Sequence, residues 1–200
     1  MGTVKHDGLN WHAYAHVDKY DPDVVRELTE YLGYEPTHAD FQRLSVDPSR
    51  VVEADGNLLV NGGLQRITNR IIGTTADAFS NSLAIVGVGS TATSASAGDT
   101  VLGANNTAAN GSVGSWYQGV DVGYPTAVGG VITAVSTFAS ADANFAWAEW
   151  CWGVATTTVV PDKAFATAST SGVMLNHKIA ALGTKASGAS WVFTTTVTLS

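Results

Sequence analysis

A chain of 200 residues, 45% of them hydrophobic, is long enough for one domain with a real core. Its net charge of −7 argues against wrapping nucleic acid, which calls for basic stripes, and no run of 18 apolar residues offers a membrane span. Residues 1–70 hold 7 of the 10 Lys and Arg and 11 of the 17 Asp and Glu, leaving 9 charged residues for the last 130, where soluble surfaces usually carry about one in four.

Residues 1–54 are expected to form an extended N-terminal arm with one helix. Asp21-Pro22 is a good helix start, Val25, Leu28 and Leu32 recur at helical spacing, and Gly33 is a natural stop. The two prolines and lack of period after it predict extended chain lying on another surface.

The body is expected over 55–200. Residues 57–72 predict a second helix, with Val60, Leu64, Ile67 and Ile71 on one face. Gly62-Gly63 costs that helix about 1 kcal/mol per glycine, so close packing is the expected compensation. Strands are expected at Leu83–Val88, Val131–Phe138, Phe145–Val154, Val173–Leu182 and Ser190–Leu199. The small polar stretch 90–115 reads as a long loop or as poorly formed edge strands, 155–171 reads as a loop, and Tyr124-Pro125 marks a turn. In the last strand Trp191, Phe193, Val197 and Leu199 alternate with Val192, Thr194, Thr196 and Thr198, as in a half-buried strand. Gly183–Gly188 is expected to join the last two strands as a hairpin. Together these elements predict a mainly β fold: an antiparallel β-sandwich or small jelly roll with one or two helices.

The pattern holds little chemistry. His12 and His16 would share one face of a helix, but zinc needs a third ligand such as Asp18 or His6 and no HExxH or Cys pair supports it, so they read as interface or surface residues beside Trp11 and Tyr14. The lone Cys151 excludes an intrachain disulfide and a multi-cysteine zinc site, and suits a reducing cytoplasm. The N-terminal stretch lacks the apolar core of a signal peptide. Gly87-Val88-Gly89 lacks the third glycine and the βαβ setting of a dinucleotide fingerprint. Neither a catalytic residue nor a cofactor or metal is assigned, and the chain is read as a non-enzyme. The rings of Phe145, Trp147, Trp150 and Trp152 could stack on sugars, though a sandwich core is the expected use. Glu149 lies between Trp147 and Trp150, and a buried carboxylate must be paired; Glu149 and Lys178 are expected to form the one buried polar link. Subunit contacts are expected at Trp11, Tyr14, Tyr20, Val25, Leu28 and Tyr31 of the arm, where apolar groups have little local core to join, and at Trp116 and Tyr117.

Four segments carry a resemblance: Asp55–Leu64 (DGNLLVNGGL), Ala143–Trp150 (ANFAWAEW), Met174–Lys178 (MLNHK) and Leu182–Trp191 (LGTKASGASW). They look like small virion structural proteins of tailed bacteriophages, and the likeness covers about residues 55–200. The chain departs from that pattern at His177, where Arg is usual, and at Cys151-Trp152, where Gly is usual. The resemblance implies a capsid-associated decoration or cementing (minor capsid) protein, assembled in the host cytoplasm and located in the virion. Its partners would be the major capsid protein or other virion subunits, and a homo-oligomer, with a trimer favoured, is the expected state; neither nucleic acid nor membrane is an expected partner. The alternative is a tail-fibre, neck or baseplate component with a host-receptor role.

Overall fold

The computed structural model describes residues 11–74, 77–104, 114–159 and 172–199. Its elements are β1 (Trp11–Tyr20), α1 (Pro22–Leu32), α2 (His38–Arg43), β2 (Arg50–Asp55), β3 (Leu58–Leu59), α3 (Asn61–Ile71), β4 (Ala84–Gly89), β5 (Ser115–Gly119), β6 (Thr126–Val128), β7 (Val131–Phe138), β8 (Ala146–Ala155), β9 (Gly172–Met174), β10 (Asn176–Thr184) and β11 (Ser190–Leu199). Two antiparallel sheets form. One runs β2-β1-β11-β7-β6; the other runs β3-β10-β8-β4-β5, with β9 also paired to β8. This is the mainly β, two-sheet architecture that the alternation predicts.

The inner faces meet in one core. From the first sheet come Ala13, Ala15, Val17, Phe138, Trp191 and Phe193; from the second come Val86, Val88, Trp116, Trp147, Trp150 and Trp152. Trp147 is the joint: its ring lies edge-on to Phe138 and Trp191, each at 4.7 Å between centroids, and Trp150 meets Phe193 at 5.4 Å. Such offset and edge-to-face pairs are the favoured aromatic geometry. With Trp147, Trp150 and Trp152 almost wholly buried, the rings are core rather than a sugar platform.

Each sheet also has a covered outer face. On the first, α1 and α2 pack Val25 and Phe41 against Tyr20, Val135 and Val192. On the second, Val60 at the start of α3 and Leu102 of the 90–104 segment cover Ile85, Tyr117, Cys151 and Met174. Helix α1 begins and ends as its sequence predicts, with Pro22 in the first turn and Gly33 in the left-handed region at φ 78°. Helix α3 starts at Asn61, and Gly63 is its contact point: a Cβ there would lie 2.7 Å from the Leu175 Cα, so only glycine allows the approach. Leu64 and Ile71, expected on the packed face, are instead solvent-exposed.

Two expectations are corrected. Residues 11–54 are not an arm. β1 pairs with β11 over its whole length, from Trp11 opposite Leu199 to Tyr20 opposite Ser190, and with β2 on its other side. Ala13, Ala15 and Val17 are inward-facing with no exposed surface, so this stretch belongs to the sandwich. Residues 183–188 do not close a hairpin either, because β10 and β11 lie in different sheets and the turn crosses from one to the other. Lys19 marks that crossing: its ammonium sits 3.9 Å above the Trp191 ring and donates to the Leu182 carbonyl.

Candidate functional site

The one concentration of buried charge lies under the outer cover of the second sheet. β-strand alternation sends Trp150 and Trp152 inward to the core and Glu149 and Cys151 outward. Glu149 has no exposed surface. Its carboxylate accepts three hydrogen bonds: from the Gly103 N–H at 2.7 Å, the Ala104 N–H at 2.8 Å, and the His177 ring Nε2 at 2.8 Å. The other ring nitrogen, Nδ1, is 2.7 Å from Asp99 Oδ2, and that oxygen also accepts from the Ser96 N–H at 2.7 Å. His177, 2% exposed, thus sits between two carboxylates.

The expected link between Glu149 and Lys178 is therefore corrected. Adjacent residues on a strand point to opposite faces, so when His177 meets Glu149, Lys178 cannot. The glycines of β4 serve the same cluster. A Cβ on Gly89 would sit 2.7 Å from Glu149 Cδ and one on Gly87 2.7 Å from Cys151 Sγ. The Gly87-Val88-Gly89 pattern clears space for side chains of β8 and β5.

The charges respond to one another. Burial acts to lower the His177 pKa, but hydrogen bonds and attraction from Glu149 and Asp99 outweigh it and hold the ring above its ordinary range. For Asp99, burial acts upward, yet the Ser96 amide and His177 leave its carboxyl below the usual carboxylate range. Burial and the nearby Glu149 charge push the Cys151 thiol far up, so it stays protonated and is a poor nucleophile. Beside the cluster runs an open groove of about 400 Å³, whose lining includes Asn57, Leu58, Ser94, His177 and Lys178.

The residues expected at subunit contacts are mostly internal. Trp11 is half-buried, and its indole N–H donates to Asn57 Oδ1 at 2.8 Å. Tyr14 lies on the outer face of the first sheet, where a hydrogen bond with Glu53 pushes its hydroxyl up to about 12. Tyr20 stacks on Phe41 with ring centroids 3.6 Å apart, and Val25 and Leu28 pack into the same cluster. Trp116 is in the inter-sheet core and Tyr117 in the outer cluster. Only Tyr31, 75% exposed, is free to meet another molecule. These groups do have a local core to join: β1, α1 and α2 are part of it. His12 and His16 lie on β1 rather than a helix, with His12 Nε2 2.8 Å from Asp55 and His16 2.8 Å from Asp18 and 3.4 Å from Glu53. Among the described residues no group of three or more His, Cys, Asp or Glu is arranged to hold a metal ion.

The surface itself is distinctive. Beyond residue 70 the described charged residues are Asp77, Asp99, Asp121, Asp142, Glu149, Lys178 and Lys185. Asp121, Glu149 and Lys185 are buried and the other four half-buried, so no fully exposed charge lies on that part of the described molecule. Meanwhile Leu64 on α3 and Ile71 and Ile72 at its end are 48%, 74% and 73% exposed. No family model, curated protein or solved structure matches this chain.

Proposed function

We propose that this chain is a non-enzymatic structural subunit of a tailed-bacteriophage particle, a capsid-associated decoration or cementing protein that binds neighbouring subunits through its low-charge surface. The observation that carries the reading is the withdrawal of charge. A free domain keeps a charged surface for solubility, and a sandwich whose described part beyond residue 70 carries no fully exposed charge is suited to being covered. The four segments resembling phage structural proteins supply the particle. Glu149, the most deeply buried carboxylate described, has no exposed surface and is capped by the Gly103 and Ala104 amides, which suits a structural role.

Because residues 11–54 build the sandwich, attachment falls to the surface of the body and not to a free arm. The exposed end of α3 is the first place to test it. The double substitution Leu64→Asp, Ile71→Asp puts charge on side chains that are 48% and 74% exposed, so the fold should survive with its melting temperature little changed. In a complementation assay the variant is expected to be lost from purified particles. Normal incorporation of the variant would remove α3 from the interface.

A further inference from the structure

The Asp99–His177–Glu149 cluster does more than fill a buried space, because its three members come from different parts of the fold. Glu149 is on β8 and His177 on β10, two neighbouring strands of one rigid sheet. Asp99 belongs to the irregular 90–104 segment, as do the two amides that bind Glu149. Among the described residues, the Gly103 and Ala104 amides and Asp99 tie that segment to the strand face of β8 and β10 through this cluster. Elsewhere it is held by Ala97, whose carbonyl accepts from the Asn61 N–H, and by Leu102, which is fully buried over the outer face.

Both ring nitrogens of His177 face carboxylate oxygens. Only the imidazolium has two N–H donors; the neutral ring has one, and must leave either Asp99 or Glu149 without its bond. The remaining ionisable surroundings do not compensate. Lys178 follows on β10 but points to the other face, Cys151 stays protonated, and β3, the strand flanking His177, brings only Leu58 and Leu59.

We propose that the 90–104 segment is a proton-gated cover. With His177 charged, the segment is latched to β8 and β10; when His177 loses its proton the latch loosens and the apolar face beneath it, which includes Ile85, Tyr117, Cys151 and Met174, becomes reachable from solvent. A lysine or arginine at position 177 would make the latch permanent. Histidine makes it depend on pH in the range where its own charge changes.

The sign follows from linkage. A histidine whose pKa is raised by folding lends full stability below its ordinary pKa of about 6.5 and loses it as pH rises through the raised value. The latch should weaken by about tenfold for each unit by which the closed-state pKa exceeds the open-state one.

Amide hydrogen exchange on the full chain tests this, followed from about pH 5.5 to about pH 8.5, the span in which histidine changes charge, and corrected for intrinsic rates. Amides of Asp99, Gly103 and Ala104 are expected to lose protection as pH rises, while those of Trp191–Val197 in the central strand β11 keep theirs. In His177→Arg the pH dependence should vanish. In Asp99→Asn, which cuts the cover side of the latch, the segment should exchange faster even at the acid end. Labelling of Cys151 by a neutral maleimide, scaled to the unfolded chain at each pH, should rise in step with the exchange. Unchanged protection of the segment across the range would overturn the proposal. So would parallel loss of protection in β11, which would mean general unfolding, or the same pH profile in a folded His177→Arg protein. Should His177→Arg fail to fold, the wild-type profile together with Asp99→Asn decides the matter.

Discussion

Gly62 and Gly63 stand side by side in the first turns of α3, yet alanine should act on them in opposite directions. Replacing a helical glycine by alanine ordinarily gains about 1 kcal/mol, because the unfolded chain loses freedom. At Gly62 a new Cβ would meet Val173 Cγ1 at 3.4 Å and the Met174 carbonyl oxygen at 3.9 Å, both ordinary contacts. At Gly63 it would fall inside the contact radius of the Leu175 carbonyl oxygen and lie 2.7 and 2.9 Å from the Leu175 Cα and carbonyl carbon. These are backbone atoms held between β9 and β10, so no side chain can swing aside. The helix must back away from the sheet, and overpacking of this kind costs about 1–3 kcal/mol. Gly62→Ala should therefore be neutral to about 1 kcal/mol stabilising, and Gly63→Ala neutral to about 2 kcal/mol destabilising after its helix gain is subtracted. For a chain of this size each kcal/mol moves the melting temperature by about 2–4 °C. Urea unfolding of the two single variants, with equal slopes, measures the difference. If Gly63→Ala gains about 1 kcal/mol, as an unhindered helical glycine would, α3 does not lie against Leu175 as described.

Three further outcomes are expected. Glu149→Ala removes the acceptor for the Gly103 and Ala104 amides and one partner of His177, and should cost about 3–5 kcal/mol in chemical denaturation, the usual toll for breaking a buried charged pair from one side. Asp40→Ala breaks the capping box of α2, in which Asp40 Oδ2 accepts from the Thr37 N–H and hydroxyl, and should cost about 1–2 kcal/mol. Burial acts upward on Asp40, but the Thr37 bonds, Arg43 and Tyr34 outweigh it and hold its carboxyl at about 2, so its share of stability, present above about pH 4, should disappear as pH falls through about 2, and the Ala variant should lack that part of the acid profile. Burial lowers Lys185 to about 8, although its ammonium reaches the Ala139 carbonyl at 2.7 Å and Asn144 Oδ1 at 2.9 Å. Between about pH 8 and about 10.4 the unfolded chain then holds a proton that the folded chain does not, so stability should rise with pH there, and less steeply in Lys185→Met.

Much of the fold was legible because local pattern and tertiary role agree. In β11 the alternation of Trp191, Phe193 and Val197 with threonines matches the core-facing set, and Asp21-Pro22 and Gly33 bracket α1 as helix punctuation should. β1 was missed for a physical reason. Its inward residues are two alanines and a valine, a weak apolar signal, and its partner β11 is about 180 residues away along the chain, so nothing local marks Trp11–Tyr20 as a strand interior. The alternation was nonetheless present: His12, Tyr14, His16 and Asp18 between Ala13, Ala15 and Val17 have period two, and reading the histidines at helical spacing hid it. The same period could have found the partner of Glu149. His177 and Lys178 must face opposite ways on a strand, and only a histidine between two acids explains a neutral-sized side chain in a sealed polar site. Which acid joins from the 90–104 segment is not a property of spacing at all, since that segment has no repeating pattern. The turn at 183–188 has hairpin chemistry, and only the packing of two separate sheets makes it a crossing.

The central claim is that this chain is a subunit built into a virus particle. If the proposal holds, particles of the phage that encodes the chain can be separated into heads and tails, and the protein quantified in each by peptide mass spectrometry against the major shell protein. The account predicts copies in large number, comparable with the shell lattice, associated with heads. Absence from purified particles would contradict it outright, and a few copies confined to tails would contradict the decorating role.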